Sequence, residues 1–212
     1  MSAKLNGFRY LPGFLTPNAQ VHLLAAIRAI VAQAPLYQPC MPKSGKPLSV
    51  MMTNCGALGW VSDKTGGYRY QEAHPVTGLP WPGMPEAIRR LWTTIADYPA
   101  QPEACLINYY AAKAKLGLHR DADEEDALAP VISISLGDDA LFQMGGLKRT
   151  DAKDRLQLKS GDIVVLGGVA RHAYHGINRI LPGTSDLLAE GGRFNLTLRR
   201  VARPDATHDT IL

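Results

Sequence analysis

His119 and Asp121 stand one residue apart, and a second histidine, His175, follows 54 positions after the carboxylate. Residues two apart on a strand project to the same face, so His119 and Asp121 can address one point in space. Two imidazoles and one carboxylate make the facial triad that holds non-haem Fe(II) while leaving positions open for oxygen and a co-substrate. The same three ligands can also build a zinc hydrolase, and an HxD pair alone is equally at home in a solvated loop. His172, three residues before His175, is a rival for the third position.

A second constellation narrows the choice. In Arg193-Phe-Asn195-Leu-Thr197-Leu-Arg199 every second residue is polar and every intervening one apolar. An ordinary half-exposed strand carries mixed charges on its polar face. This one carries two arginines, an asparagine and a threonine, with no acid, and such a face repels itself unless an anion lies over it. A dicarboxylate fits, because a guanidinium grips a carboxylate through two parallel hydrogen bonds. A zinc hydrolase gives no reason for that face, and a non-catalytic binding module that has lost its metal should lack part of the triad or of the arginine pair.

These motifs carry a resemblance. NYYAAKAKLGLHRDADE from Asn108, GGLKR at 145–149, YHG at 174–176 and RFNLTLRR at 193–200 resemble the AlkB family of alkylated-DNA-repair dioxygenases, as do TNCGALGW and PWPGMP nearer the start. The likeness runs over about residues 8–201, and the last segment, ARPDATHDTIL, has no counterpart in it. It implies a double-stranded β-helix (jelly-roll) core, mainly β with flanking helices, and an N-terminal nucleotide-recognition lid. It implies Fe(II) held by His119, Asp121 and His175, with 2-oxoglutarate and O2 as co-substrates. Arg199 is expected on the distal carboxylate of 2-oxoglutarate, Arg193 at the end near the iron, and Asn108, Tyr110 and Asn195 on the same molecule; Thr197 shares that face. Trp60 would stack near the damaged base, Tyr68 and Tyr70 would contact nucleotide from the lid, and Asp123 and Arg149 would recognise the flipped base. The implied reaction removes methyl groups from bases such as 1-methyladenine and 3-methylcytosine in single-stranded DNA, releasing formaldehyde, succinate and CO2. The same chemistry on double strands, on RNA or on a substrate outside nucleic acid stays open.

The elements that must position these residues are partly visible. Thr16-Pro17 is a hydroxyl N-cap followed by proline at the first helical position, and Val21, Leu24, Ala25, Arg28 and Val31 follow at helical spacing. A second helix begins near Pro85, repeats through Ile88, Leu91, Trp92 and Ile95, and stops before Pro99. Residues 34–84 read as an aromatic-rich cover with a short strand at Leu48–Thr53. From Ala104 onward, ACLINYY, PVISISLG, ALFQMGG, RLQLKS, DIVVLGG and RFNLTLRR read as short strands between turns, the pattern of a sandwich or barrel. One unit of 1–212 follows, with helices and lid over about 1–100, the catalytic core over about 104–201, and a tail at 202–212.

Composition adds bounds. At 46% hydrophobic and 20% charged, with a net charge of +4, the chain can bury a substantial core, and the charge suits an anionic partner without demanding one. Cys40, Cys55 and Cys105 are odd in number and lack CxxC spacing, which favours a reducing compartment and inert, buried thiols. No apolar run approaches the ~20 residues needed to span a bilayer, and the start lacks a signal-peptide pattern. A cytoplasmic monomer is the expectation. In the run Asp123–Asp126, Glu125 and Asp126 read as solvated, while His22, His74 and His208 read as structural or solvated.

Overall fold

The computed structural model describes residues 5–204. The strands are β1 (Phe8–Leu11), β2 (Met51–Gly56), β3 (Gly59–Asp63), β4 (Gly67–Gln71), β5 (Ala104–Tyr110), β6 (Leu116–His119), β7 (Val131–Gly137), β8 (Asp139–Met144), β9 (Asp154–Leu158), β10 (Ile163–Leu166), β11 (His175–Leu181) and β12 (Arg193–Arg199). Two helices, α1 (Pro17–Gln33) and α2 (Glu86–Ile95), and a 3-10 turn at Gly168–His172 complete the set among the described residues. None of these helices is long and apolar enough to cross a membrane.

The strands build a six-stranded sheet in the order β1-β10-β7-β12-β5-β2, a four-stranded sheet in the order β6-β11-β8-β9, and a two-stranded hairpin β3-β4. From β5 onward the chain crosses repeatedly between the two larger sheets, and all of its ladders are antiparallel. That alternation is the double-stranded β-helix expected from the resemblance. The N-terminal part does more than cover it: β1 and β2 form both edges of the major sheet.

Alternation sends β12 in two directions. Leu196 and Leu198, with Ile132, Ile134, Ile107 and Cys105, pack outward against Ile27 of α1 and Ile88, Trp92 and Ile95 of α2. Burying one such aliphatic side chain contributes about 1.5–3 kcal/mol. The polar residues of β12 therefore face inward, between the sheets, where Leu106, Val131, Val164, Phe142 and Ile177 form the second apolar cluster.

Both helices form where the sequence signals them. Thr16 caps α1, its side chain accepting from Ala19 N at 3.3 Å. The buried stripe is Leu23, Leu24, Ile27 and Ile30; Val21 is 54% exposed, and Arg28 pairs with Glu190 on the surface. The sequence spacing sets the stripe partly on the solvent face, because Val21, Ala25 and Arg28 repeat helically beside the true contact row, with Val31 half-buried at its margin. β2 lies three residues later than expected: Leu48 precedes it in a turn bridged at Cys40 and Pro47. Strands β1, β3, β4, β6 and β11 carry no clear sequence signal, being short or lacking alternation.

Candidate metal centre and co-substrate shelf

His119 ends β6, and across the ladder from it His175 begins β11 as its register partner. The 56-residue gap between the histidines thus closes to adjacent positions, with ring centroids 4.6 Å apart. Gly176 permits this approach, because a Cβ there would stand 2.6 Å from Leu116 O. Each imidazole sets Nδ1 against the carbonyl two residues before it, Gly117 O at 2.9 Å and Ala173 O at 3.1 Å. A ring that donates through Nδ1 presents Nε2 as its lone-pair donor. Those Nε2 atoms lie 3.7 and 3.6 Å from the Asp121 carboxylate oxygens, and one ligand atom from each of the three residues falls within 4.8 Å of the others. Asp121 is not on the strand with His119, as the two-residue period suggested; it lies just past the strand end. His172 is exposed, while His175 is buried in the cluster, which decides between them.

The electrostatics suit a cation. Burial of Asp121 opposes its ionisation but is outweighed by Arg199, His175 and His119, which hold its carboxyl well below the usual range. Burial pushes His175 down to about 4 against the pull of Asp121, so the ring is neutral near pH 7 and ready to coordinate.

Beside the triad, β5 and β12 make a polar shelf in register: Tyr110 opposite Arg193, Asn108 opposite Asn195, and Thr197 two pairs further on, opposite Leu106. Serines of β7 support it. Asn195 Nδ2 donates to Ser133 Oγ at 2.8 Å, Thr197 Oγ1 to Asn195 Oδ1 at 3.2 Å, and Arg193 Nη2 to Ser135 Oγ at 2.9 Å. Arg193 is fully buried, stands 5.3 Å over the Tyr110 ring, and its Nε and Nη1 have no hydrogen-bond partner, nor does Asn108 Oδ1. A buried guanidinium without a counter-charge is costly, and a dicarboxylate resolves that cost. Of the two arginines, Arg199 lies beside the triad and touches Asp121 at 2.8 Å, while Arg193 stands six residues earlier, at the start of β12.

A cavity of about 400 Å³ opens over shelf and triad. Its mouth is formed by the β3–β4 hairpin. Buried Asn54 pins that hairpin reciprocally, donating to Trp60 O and accepting from Trp60 N, both at 3.1 Å. Trp60 and Tyr68 stack at 5.5 Å, and Trp60 Nε1 donates to Asp123 Oδ2 at 2.8 Å. Arg149 lines the same cavity and, with Arg120, lies over the Tyr174 ring at 5.9 and 5.1 Å.

Other expectations need correction. Tyr70 does not line the cavity; its hydroxyl is engaged with Glu124 and Arg199, because the hairpin turns it inward onto two charges. Asp126 is 2% exposed rather than solvated, accepting from Tyr98 OH at 2.7 Å, and Glu124 is buried against Arg171 at 2.7 Å. Ser133, Ser135, Glu124 and Arg171 join the site without having been expected there. The serines alternate with Ile132 and Ile134, so their inward face was legible; for the other two, no local signal exists. Cys55 and Cys105 are buried as expected, whereas Cys40 is half-buried. His22 is exposed and His74 is a core residue bonded to Pro35 O at 2.8 Å. His208 and most of the 202–212 tail lie outside the described residues.

Comparison with known proteins agrees with this geometry. The model of the 2OG-Fe(II) oxygenase superfamily matches residues 7–199. The alpha-ketoglutarate-dependent dioxygenase AlkB homolog of Caulobacter vibrioides (strain NA1000 / CB15N) is 51% identical over 92% of this chain and 87% of its own length. The alpha-ketoglutarate-dependent dioxygenase AlkB of Escherichia coli (strain K12) is 46% identical over 89% of this chain and 88% of its own. The solved structure of OsALKBH1 superposes with a TM-score of 0.81 at 30% identity, covering 92% of this chain and 96% of that one. The His119–Asp121–His175 cluster and the unpartnered shelf atoms fit the iron and the dicarboxylate that these relatives share, and the chain belongs to the AlkB family of Fe(II)- and 2-oxoglutarate-dependent dioxygenases.

Proposed function

We propose that this enzyme oxidatively demethylates N-alkylated nucleobases, 1-methyladenine and 3-methylcytosine among them, in single-stranded DNA. The observation that carries this reading is the aromatic mouth, where Trp60 is stacked on Tyr68 and tethered to Asp123, two residues from the metal ligand Asp121. A methyl on the pairing edge of adenine or cytosine puts positive charge on the ring. Such a ring gains from an indole face and from a nearby carboxylate. The base must leave its stack to reach the site, which costs least in single strands and at lesions. Arg120 and Arg149, which line the cavity and each contact the Tyr174 ring, suit the phosphates that flank an extruded base.

On the shelf, Arg193 is the better anchor for the distal carboxylate of 2-oxoglutarate, because two of its nitrogens are unpartnered, whereas Arg199 has only Nε to spare and already pairs with Asp121. Tyr110 and Asn108 lie in register to assist. Arg199 then belongs to the metal side. Bound Fe(II), with 2-oxoglutarate and O2, supplies the oxidation of the N-linked carbon, which leaves as formaldehyde while succinate and CO2 are released. The chain's own part is to orient both substrates and exclude water. The free thiols of Cys40, Cys55 and Cys105 fit a reducing cytoplasm, and we read the chain as a monomer acting as one unit over 1–212.

The test incubates anaerobic protein with Fe(II), 2-oxoglutarate and an oligonucleotide bearing 1-methyladenine or 3-methylcytosine, then admits air and follows the base by mass spectrometry. Loss of the methyl mass, dependent on iron and 2-oxoglutarate, supports the reading. Succinate formed over an unchanged base would sink the substrate assignment.

A further inference from the structure

Behind the metal ligands lies a closed circuit of buried polar groups that none of the roles above requires. Arg171, in the 3-10 turn, donates Nη1 to the main-chain carbonyl of Asp121, Nη2 to Glu124 Oε2 at 2.7 Å and Nε to Ala129 O at 3.3 Å. The other oxygen of Glu124 accepts from the Tyr70 hydroxyl. The Tyr70 oxygen accepts in turn from Arg199 Nη1 at 3.1 Å, and Arg199 Nη2 returns to Asp121 Oδ1 at 2.8 Å. The Arg171 and Glu124 side chains are 3% and 0% exposed. Two guanidiniums thus face two carboxylates out of water, and a balanced circuit is what such burial demands.

Three features exceed the needs of packing. Asp121 lies past the end of β6, and its carbonyl is gripped by Arg171 while its carboxylate is gripped by Arg199. The circuit therefore fixes both ends of a metal-ligating residue. Its members also come from separate places: the acidic loop, the 3-10 turn, β12 of the shelf and β4 of the hairpin. Finally, Tyr70 enters from the hairpin that forms the cavity mouth, directly opposite Trp60 in the β3–β4 register.

We infer that Tyr70, Glu124 and Arg171 are positioning residues that set the posture of the Asp121 carboxylate and of Arg199, and that Tyr70 makes this posture depend on the hairpin lying over the cavity. The inference rests on the metal-centre assignment and not on which base is taken. A hairpin pressed down by a seated substrate keeps the Tyr70 hydroxyl in the circuit. A hairpin lifted away removes it, leaving Glu124 and Arg199 short of one shared bond.

The experiment uses the full chain carrying Tyr70→Phe or Glu124→Gln, with two readouts. Mn(II), a redox-silent stand-in, is titrated calorimetrically in the presence of 2-oxoglutarate, and kcat and KM are separated on a methylated oligonucleotide. Partners of metal ligands commonly change metal affinity or activity by about 10–100-fold. Tyr70→Phe is expected to weaken Mn(II) binding and lower kcat, each by about tenfold, with KM within about twofold of the parent. Glu124→Gln keeps an acceptor for Tyr70 but strips Arg171 of its counter-charge, so its Mn(II) affinity falls further. A raised KM with kcat and Mn(II) affinity intact in Tyr70→Phe would make Tyr70 a nucleotide contact and overturn the inference. Should Glu124→Gln fail to fold, Tyr70→Phe, which removes one hydroxyl, decides alone. Should the parent leave the oligonucleotide untouched, the nucleic-acid reading falls while the Mn(II) titration still decides this one.

Discussion

Arg193 and Tyr110 face each other across the β5–β12 ladder, and the guanidinium stands over the phenol ring with two of its nitrogens unpartnered. A charge so placed opposes folding until an anion joins it. Arg193→Met is therefore expected to act in two directions. The metal-free, co-substrate-free protein gains about 1–4 kcal/mol, as buried charges replaced by apolar groups often do. Affinity for 2-oxoglutarate falls by about 100-fold or more, since a charged hydrogen-bonded partner is lost. Thermal melts with and without 2-oxoglutarate check both signs, and a lowered melting temperature in the bare variant would refute the uncompensated charge.

Ligand should also stabilise the parent. With metal present and 2-oxoglutarate at 100 times its Kd, folding gains about 2.7 kcal/mol, which raises Tm by several degrees. A chelator added beforehand should abolish most of that rise, because the triad helps to hold the co-substrate. A full shift surviving chelation would separate the shelf from the metal centre.

Asp121→Ala is expected to end turnover, but not silently. The carboxylate neutralises Arg199 at 2.8 Å in a buried setting, so its removal costs about 3–5 kcal/mol. Asp121→Asn, which keeps an acceptor, should be the milder change in denaturant melts while still losing activity. Equal stability in the two variants would contradict the buried pair.

Acid should weaken the metal-free protein through His175. Its folded pKa is pushed down to about 4 from 6.5, so between those values the unfolded chain binds more protons. The stability it contributes is present above about pH 6.5 and is lost as pH falls towards 4. Melting temperatures recorded across that window test the sign, and His175→Gln should flatten the slope.

Much of the site was legible because it obeys short-range rules. The inward face of β12 follows from alternation, and Asn108 and Tyr110 alternate on β5 in the same way. What escaped is set by distant partners. β6 is four residues long and contains Gly117, and β11 reads HGINRIL, in which apolar and polar positions do not alternate. Glu124 and Arg171 look like solvated charge in any local window; only the arrival of Tyr70, 54 residues away, and of Arg199 explains their burial. The order of the two arginines depends on which end of β12 meets the β6–β11 pair, which no strand reveals by itself.

Asn54 provides a last test of the mouth. Asn54→Ala removes two buried bonds to the Trp60 main chain and is expected to cost about 2–3 kcal/mol, at roughly 1 kcal/mol for each bond plus desolvation of what is left unpaired. Trp60→Ala should instead leave the hairpin in place and raise KM for methylated oligonucleotides by about tenfold, in line with the loss of one stacking surface. Tryptophan fluorescence and steady-state kinetics tell the two apart.

That contrast has a wider meaning. Asn54 grips the backbone at position 60 and leaves the indole untouched by the grip. The side chain there is thus an interchangeable fitting on a fixed mount. On the reading proposed above, a change at this position should retune which bases are welcomed while the Asn54 grip stays in place, and a laboratory seeking altered lesion preference has its first position to randomise.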